Sequence, residues 1–164
     1  MVTVLPQMWD GVLELRPVIP NDLAQLLPLC VEHAAYEGST IHEDDQVMRW
    51  NSACFGTPPQ LYGWVCSEDE HLGAALKGYM TASISVSTWS AKPYVLLDCI
   101  YLKPIIRRMG IGRSMLMTLR EFARGQGCQE VQWQTILSNE TGSAFYSSLG
   151  AIPVTKTRWS LPVE

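Results

Sequence analysis

The chain has 164 residues, 47% of them hydrophobic, and a net charge of −4 at pH 7. This length suits one buried core and is too short for two ordinary domains. We therefore expect a single domain over residues 1–164, with residues 1–10 as a leader or an extra edge piece. The acidic balance gives no basic surface for nucleic acid or an anionic membrane. Without a signal-peptide pattern or a run of about 18 apolar residues, the sequence predicts a cytoplasmic protein.

The five cysteines, at positions 30, 54, 66, 99 and 128, are widely spaced. No C-x-x-C pair is present, and no histidine stands beside a cysteine at metal-binding spacing. This pattern predicts free thiols in a reducing compartment, and no metal site.

The hydrophobic pattern predicts ten elements after the N-terminal segment. Strands, recognised by alternation, are predicted over about residues 12–18, 61–66, 77–87, 94–102, 129–137 and 154–161. Helices, recognised by apolar spacings of three and four, are predicted over about residues 22–37, 44–54, 111–124 and a short stretch after Asn139. Pro28 inside the first helix is expected to kink it. The mixture predicts an α/β (α+β) fold with a central, largely antiparallel sheet and helices on both faces.

Asp98 is the most anomalous residue of the predicted strands, because it interrupts a nearly continuous apolar run from Tyr94 to Leu102. A carboxylate in a buried strand is costly unless it is paired or used. Asp98 is therefore a candidate functional acid.

The segment Arg107–Arg113 reads Arg-Arg-Met-Gly-Ile-Gly-Arg and lies between this strand and a predicted helix. Glycines allow a tight turn whose backbone amides point at one anion, and the start of the helix adds a positive dipole end. The segment is a candidate phosphate cradle, with an ordinary glycine turn as the alternative. Met115 replaces the third glycine of a dinucleotide motif, and no Gly-Lys-Ser/Thr follows, which disfavours a nicotinamide fold or a P-loop.

Several motifs in order carry a family resemblance: Arg107-x-x-Gly110-x-Gly112, then Asn139 with Tyr146, then Leu149-Gly150-Ala151. This arrangement resembles the GNAT family of acetyl-coenzyme A (acetyl-CoA) dependent N-acetyltransferases. The resemblance implies acetyl-CoA as cosubstrate, its pyrophosphate on the loop 108–113 and its pantetheine arm along the preceding strand. The residues that it assigns to acetyl-CoA are Ile100, Tyr101, Leu102, Arg107, Arg108, Met109, Gly110, Ile111, Gly112, Arg113, Asn139 and Tyr146.

A closer resemblance is to the polyamine and thialysine acetyltransferase branch. It rests on Tyr36-Glu37, on Ser87-Thr88-Trp89 and on an acid nine residues before Arg107. It implies that Tyr36, Glu37, Trp89 and Asp98 bind the substrate, with Glu37 as an anchor for the ammonium group. The alternative for Glu37 is a solvated acid at the end of a helix. The branch usually has Glu-Asp where this chain has Asp98-Cys99, and the loop before Asp98 is one residue longer here. These departures disfavour a polyamine.

Acetylation of an amine needs a base, because an alkylammonium with a pKa near about 10.4 is protonated at neutral pH. Asp98 can take this proton directly or through water if partial burial makes it basic enough. The alternative is a buried structural acceptor or a counter-ion. Tyr146 matches the acid that protonates the leaving thiolate in the family, and the alternative is a half-buried aromatic residue. Cys99 is assigned to the core, because strand alternation points it away from Asp98.

These observations predict acetyl transfer, by direct attack in a ternary complex, to the primary amine of a small lysine-like amino acid or a diamine. One alternative is acetylation of a protein, a peptide or an amine antibiotic. Another is a non-catalytic acyl-CoA-binding module. A small-molecule amine is the expected partner, without nucleic acid or membrane, and a homodimer is left open.

Overall fold

The computed structural model describes residues 7–9, 13–41, 44–68 and 74–163. The strands are β1 (Gln7–Trp9), β2 (Leu13–Pro17), β3 (Tyr62–Glu68), β4 (Leu76–Ser87), β5 (Lys92–Leu102) and β6 (Val131–Gln132). The helices are α1 (Leu23–Tyr36), α2 (Gln46–Phe55), α3 (Ile111–Gly125) and α4 (Glu140–Ser148). The chain divides into two units, residues 1–134 and 135–164.

The first unit contains a six-stranded sheet in which the strands lie in chain order. All neighbouring strands are antiparallel except β5 and β6, which are parallel. This confirms the predicted mixed, largely antiparallel sheet. β1 pairs with β2 at the edge, as expected of an extra edge piece, while residues 1–6 and 10–12 lie outside the described part of the chain.

Helices cover both faces of this sheet, as predicted. The reason is visible in β3, where neighbouring side chains point to opposite faces. Val65 packs in a buried cluster with Leu23, Leu26 and Leu29 of α1. Trp64 meets Phe122 of α3 instead, with ring centroids 5.1 Å apart. The two helices therefore bury opposite faces of one strand.

α1 runs without a break through Pro28, whose side chain is exposed. A proline removes one backbone donor inside a helix, and the apolar face of α1 retains the helix through its packing. Three α1 leucines are almost completely buried against the sheet. The helix therefore continues to Tyr36, and Glu37 is its C-cap.

The strand predicted over residues 129–137 is shorter than expected, because only Val131–Gln132 pairs with β5. The pairs are Val95 with Val131 and Leu96 with Gln132. Within the described residues of this unit, the outer edge of β5 has no strand partner from Leu97 onward. A bulge in the pairing of β5 with β4 lies in this stretch, at Asp98.

In the second unit, Asn139 caps α4, since its Oδ1 accepts a hydrogen bond from the Gly142 amide at 2.9 Å. The strand predicted over residues 154–161 is wrong, because residues 151–163 have no regular secondary structure. Val154 and Leu161 are exposed there. Alternation specifies which side chains would share a face, but a strand also needs a neighbour to complete its hydrogen bonds.

Candidate active site

Asp98 occupies a β-bulge in β5. Thr81 of β4 pairs with Cys99, and the next residue, Ala82, pairs with Leu97, so Asp98 has no partner in the ladder. A bulge inserts one residue into one strand and re-aims its side chain. Cys99 Sγ consequently lies 3.7 Å from Asp98 Oδ2, which brings both side chains to the same face. The prediction that alternation would separate them is wrong, because the bulge breaks the alternation.

The side chain of Asp98 is exposed. The interpretation as a buried structural acceptor is therefore wrong, and the burial expected of a base is not supplied by this unit. The bulge makes the Asp98 carboxylate accessible, so it can receive a proton or contact a cation without rearrangement of the sheet.

Cys99 packs partly buried against the α1 cluster, as its assignment to the core predicted. Burial raises the pKa of the Cys99 thiol to about 12, helped by the neighbouring Asp98 charge. A thiol with this pKa is protonated at neutral pH, and the protonated form is a poor nucleophile. Cys99 is therefore unsuited to carry an acetyl group.

The glycine loop, residues 107–113, contains two residues in the left-handed region of backbone conformation. Arg108 and Gly110 both adopt positive φ, at 68° and 83°. Gly110 is the N-cap of α3, and no side chain caps the helix there. The first amides of a helix have no partner within it, and a Cβ built on Gly110 would meet nothing within 4 Å. The space beside Gly110 is therefore open, which is compatible with the predicted diphosphate site.

We expect Gly110→Val to weaken the binding of CoA more than tenfold, because valine disfavours positive φ and its side chain fills the approach to the amides. Calorimetry measures the affinity. Gly127→Val is the matched control, since Gly127 ends the same helix region with φ 70° and equally open surroundings. The control has similar backbone strain and should bind CoA like the parent. Equal affinities in both folded variants would contradict the cradle.

The end of β5 offers the backbone edge that the pantetheine prediction requires. Ile100, Tyr101 and Leu102 pair with β4 on one side only among the described residues of this unit. Their outer amides and carbonyls are available to an extended ligand, as in strand addition. The assignment to acetyl-CoA stays a prediction.

Arg107 is the first residue of the glycine loop, and its side chain points towards α1. Its Nε donates a hydrogen bond to the Leu102 carbonyl at 2.8 Å. The guanidinium lies over the rings of Tyr36 and Tyr101. Arg108 and Arg113 are exposed, so they are the arginines of this loop with side chains open to solvent.

Tyr36 is the last residue of α1 and Glu37 is its C-cap, and both are exposed. Glu37 Oε1 lies 3.5 Å from Nε2 of the buried His33. His33 Nδ1 lies 2.8 Å from the Tyr79 hydroxyl, and burial lowers the pKa of this histidine. A neutral ring that accepts from Tyr79 holds its Nε2 hydrogen towards Glu37. Sequence reasoning missed His33, although its spacing of four from Glu37 on a helix was a usable signal.

Trp89 is 97% exposed in the turn between β4 and β5. β5 extends from Lys92 to Asp98 at about 3.3 Å per residue, so this turn is on the order of 20 Å from Asp98. The first unit thus brings Asp98, Arg107 and the end of α1 to one face, and does not bring Trp89 to them.

Asn139 and Tyr146 belong to the second unit. The Asn139 amide also donates to Thr135 Oγ1 at 3.1 Å, which fixes the side chain at the start of α4. Tyr146 is half-buried on α4, with its ring centroid 5.4 Å from that of Phe145. Their roles towards acetyl-CoA stay predictions.

The model of the acetyltransferase (GNAT) family matches residues 25–151. The chain belongs to this family, whose members generally use acetyl-CoA as the acetyl donor, and it is an N-acetyltransferase. A thialysine N-epsilon-acetyltransferase of Caenorhabditis elegans is 25% identical over 138 residues, covering 81% of this chain and 86% of that protein. Aminoglycoside N(6')-acetyltransferase type 1 of Klebsiella aerogenes is 24% identical, covering 87% and 91%. A crystal structure of a probable acetyltransferase aligns with TM-score 0.75 at 20% identity, covering 92% and 97%.

Among the described residues, no group of three His, Cys, Asp or Glu side chains is arranged to hold a metal ion. No helix in this part of the chain is long and apolar enough to cross a membrane.

Proposed function

We propose that this chain transfers the acetyl group of acetyl-CoA to the primary amine of a small lysine-like amino acid or diamine, by direct attack in a ternary complex. The observation that carries the proposal is the bulged, exposed Asp98 at the point where the outer edge of β5 becomes free. A ligand along Ile100–Leu102 and the loop 108–113 would have this carboxylate beside it. The family match spans both units, which supports one catalytic domain.

Asp98 is the proposed base. The amine arrives as an ammonium ion, and a nitrogen can attack only after losing a proton. Oδ1 or Oδ2 of Asp98 takes this proton directly or through one water. The alternative role as counter-ion uses the same carboxylate, and a pH profile separates the two.

The loop amides of residues 108–113 would hold the diphosphate, and the edge of β5 would hold the pantetheine arm. When bound, acetyl-CoA supplies the thioester carbonyl that the amine attacks. Tyr146 is the proposed donor of a proton to the leaving sulfur, by its match to the family's tyrosine. The raised pKa of Cys99 supports direct transfer and disfavours an acetyl-cysteine route.

We expect a compact amine to be the better substrate. Asp98 and Glu37 are exposed acids on the α1 side of β5, whereas Glu32 is already paired with Lys103 Nζ at 2.9 Å. A long polyamine needs several free carboxylates along its length. Initial rates with acetyl-CoA should give thialysine or a short diamine a higher kcat/KM than spermine. A clear preference for spermine would contradict this discrimination.

An aminoglycoside is the second candidate acceptor, because the relative from Klebsiella aerogenes aligns over 147 residues. The same turnover screen should include an aminoglycoside and a lysine-containing peptide. We expect turnover of the small amino acid or diamine to exceed turnover of both. Turnover of the aminoglycoside alone would assign the site to amine antibiotics.

A further inference from the structure

A stacked column of four side chains joins the end of α1 to the start of the glycine loop. The Arg107 guanidinium carbon lies 5.1 Å from the ring centroid of Tyr36 and 5.5 Å from that of Tyr101. Tyr101 stacks in turn on His33, with centroids 5.1 Å apart and planes inclined by 23°. A planar guanidinium suits this position, because it can face aromatic rings on both sides.

The two middle side chains of the column, Arg107 and Tyr101, are anchored by hydrogen bonds. On the loop side, Arg107 Nε is bonded to the Leu102 carbonyl at 2.8 Å. On the helix side, Glu32 accepts from the Tyr101 hydroxyl at 3.4 Å and from Lys103 Nζ at 2.9 Å. The loop therefore cannot shift without moving the column or breaking these contacts. The Arg107 side chain, which could otherwise bind a phosphate, contacts α1 instead.

The column ends where the proposed amine site begins. Tyr36 is 56% exposed, so only part of its ring is covered, and Glu37 follows it directly. Three amides fold back onto the last turn of α1: Glu37 to His33 O at 3.1 Å, Gly38 to Ala35 O at 3.2 Å and Ser39 to Ala34 O at 2.7 Å. Opening of this turn would displace both Tyr36 and Glu37.

We propose that Arg107 is a positioning residue that couples CoA binding at the glycine loop to the order of the amine-binding end of α1. The inference rests on the proposed function, since it places Arg107 beside the CoA site and Tyr36 beside the amine site. Ligand at the loop fixes Arg107, Arg107 fixes Tyr36, and the last turn of α1 opens less often. Such coupling is reciprocal and amounts typically to about 5–150-fold.

Hydrogen–deuterium exchange tests the coupling, with CoA alone as the probe at saturating concentration for each variant. In the parent, CoA should slow exchange of the amides of residues 37–39 about fivefold or more. Arg107→Lys keeps the charge and loses the planar stack, so its protection by CoA should disappear. Arg108→Gln removes a neighbouring charge and should bind CoA less tightly, yet retain the protection at saturation.

Tyr36→Leu provides a second variant, because this exposed ring contributes little to the core and its loss will not prevent folding. It should also lose the protection, and Arg107→Lys should raise the KM for thialysine several-fold at saturating acetyl-CoA. Failure of the parent to bind CoA would overturn the proposed function. CoA binding without slower exchange at residues 37–39, or full protection in Arg107→Lys, would overturn the coupling alone.

Discussion

Asp98→Asn should lower kcat/KM near neutral pH by about 100-fold or more, as expected for loss of a general base. The substitution keeps the shape of the side chain, and the exposed bulge tolerates the amide without burying it. The loss should shrink as pH rises. Each pH unit increases the neutral fraction of the amine about tenfold until its own pKa, near about 10.4, is approached.

The measurement is a pH–rate profile of both proteins between pH 6 and pH 10 under kcat/KM conditions. Glu121→Gln is the control, because it neutralises an exposed acid that pairs with Arg124 on the second half of α3. Its profile should match the parent. A uniform reduction in Asp98→Asn at all pH values would make Asp98 a counter-ion, and parental activity throughout would remove it from the mechanism.

Tyr146→Phe should lower kcat by about 100-fold with little change in the affinity for acetyl-CoA. The phenol is proposed to meet the sulfur only as the thiolate leaves, and an interaction made in the transition state affects kcat and not binding. The ring is retained, so its packing beside Phe145 should persist. Steady-state kinetics gives kcat, and calorimetry with CoA gives the affinity.

Tyr62→Phe is the matched control, because Tyr62 is a half-buried tyrosine whose ring packs on Phe122 with centroids 4.7 Å apart. It removes a phenol hydroxyl without touching the proposed chemistry and should leave kcat unchanged. Equal kcat values for Tyr146→Phe and the parent would contradict the acid role and leave protonation of the thiolate to solvent.

Hydrophobic periodicity predicted best those elements in which the apolar pattern is strong. The bounds of α1, β4 and α3 lie within about two residues of expectation, because each buries one face along most of its length. The strand predicted over residues 129–137 was too long, and the strand predicted over residues 154–161 was wrong, for one reason. A strand depends on a neighbouring backbone, and nothing in its own alternation says where that neighbour stops.

The candidate site was likewise predicted only in part. Asp98 stood out in the sequence as an acid in an apolar strand, and the glycine spacing indicated the turn before α3. The bulge was not predictable, because it is defined by the register between β4 and β5. The position of the Arg107 side chain was also hidden. The family resemblance assigned all three arginines of the loop to acetyl-CoA, and only the tertiary contact with Tyr36 separates Arg107 from the others.

The bulge in β5 allows the fold and the proposed chemistry to be altered separately. Ala82 pairs with Leu97 and Thr81 with Cys99, so the residues on either side of Asp98 already meet consecutive partners. A chain shortened by this one residue would keep every pair of the ladder in a regular register. Asp98 is thus an insertion in the architecture of the sheet, and the strand could lose it at little structural cost while losing the carboxylate on which the proposed reaction depends.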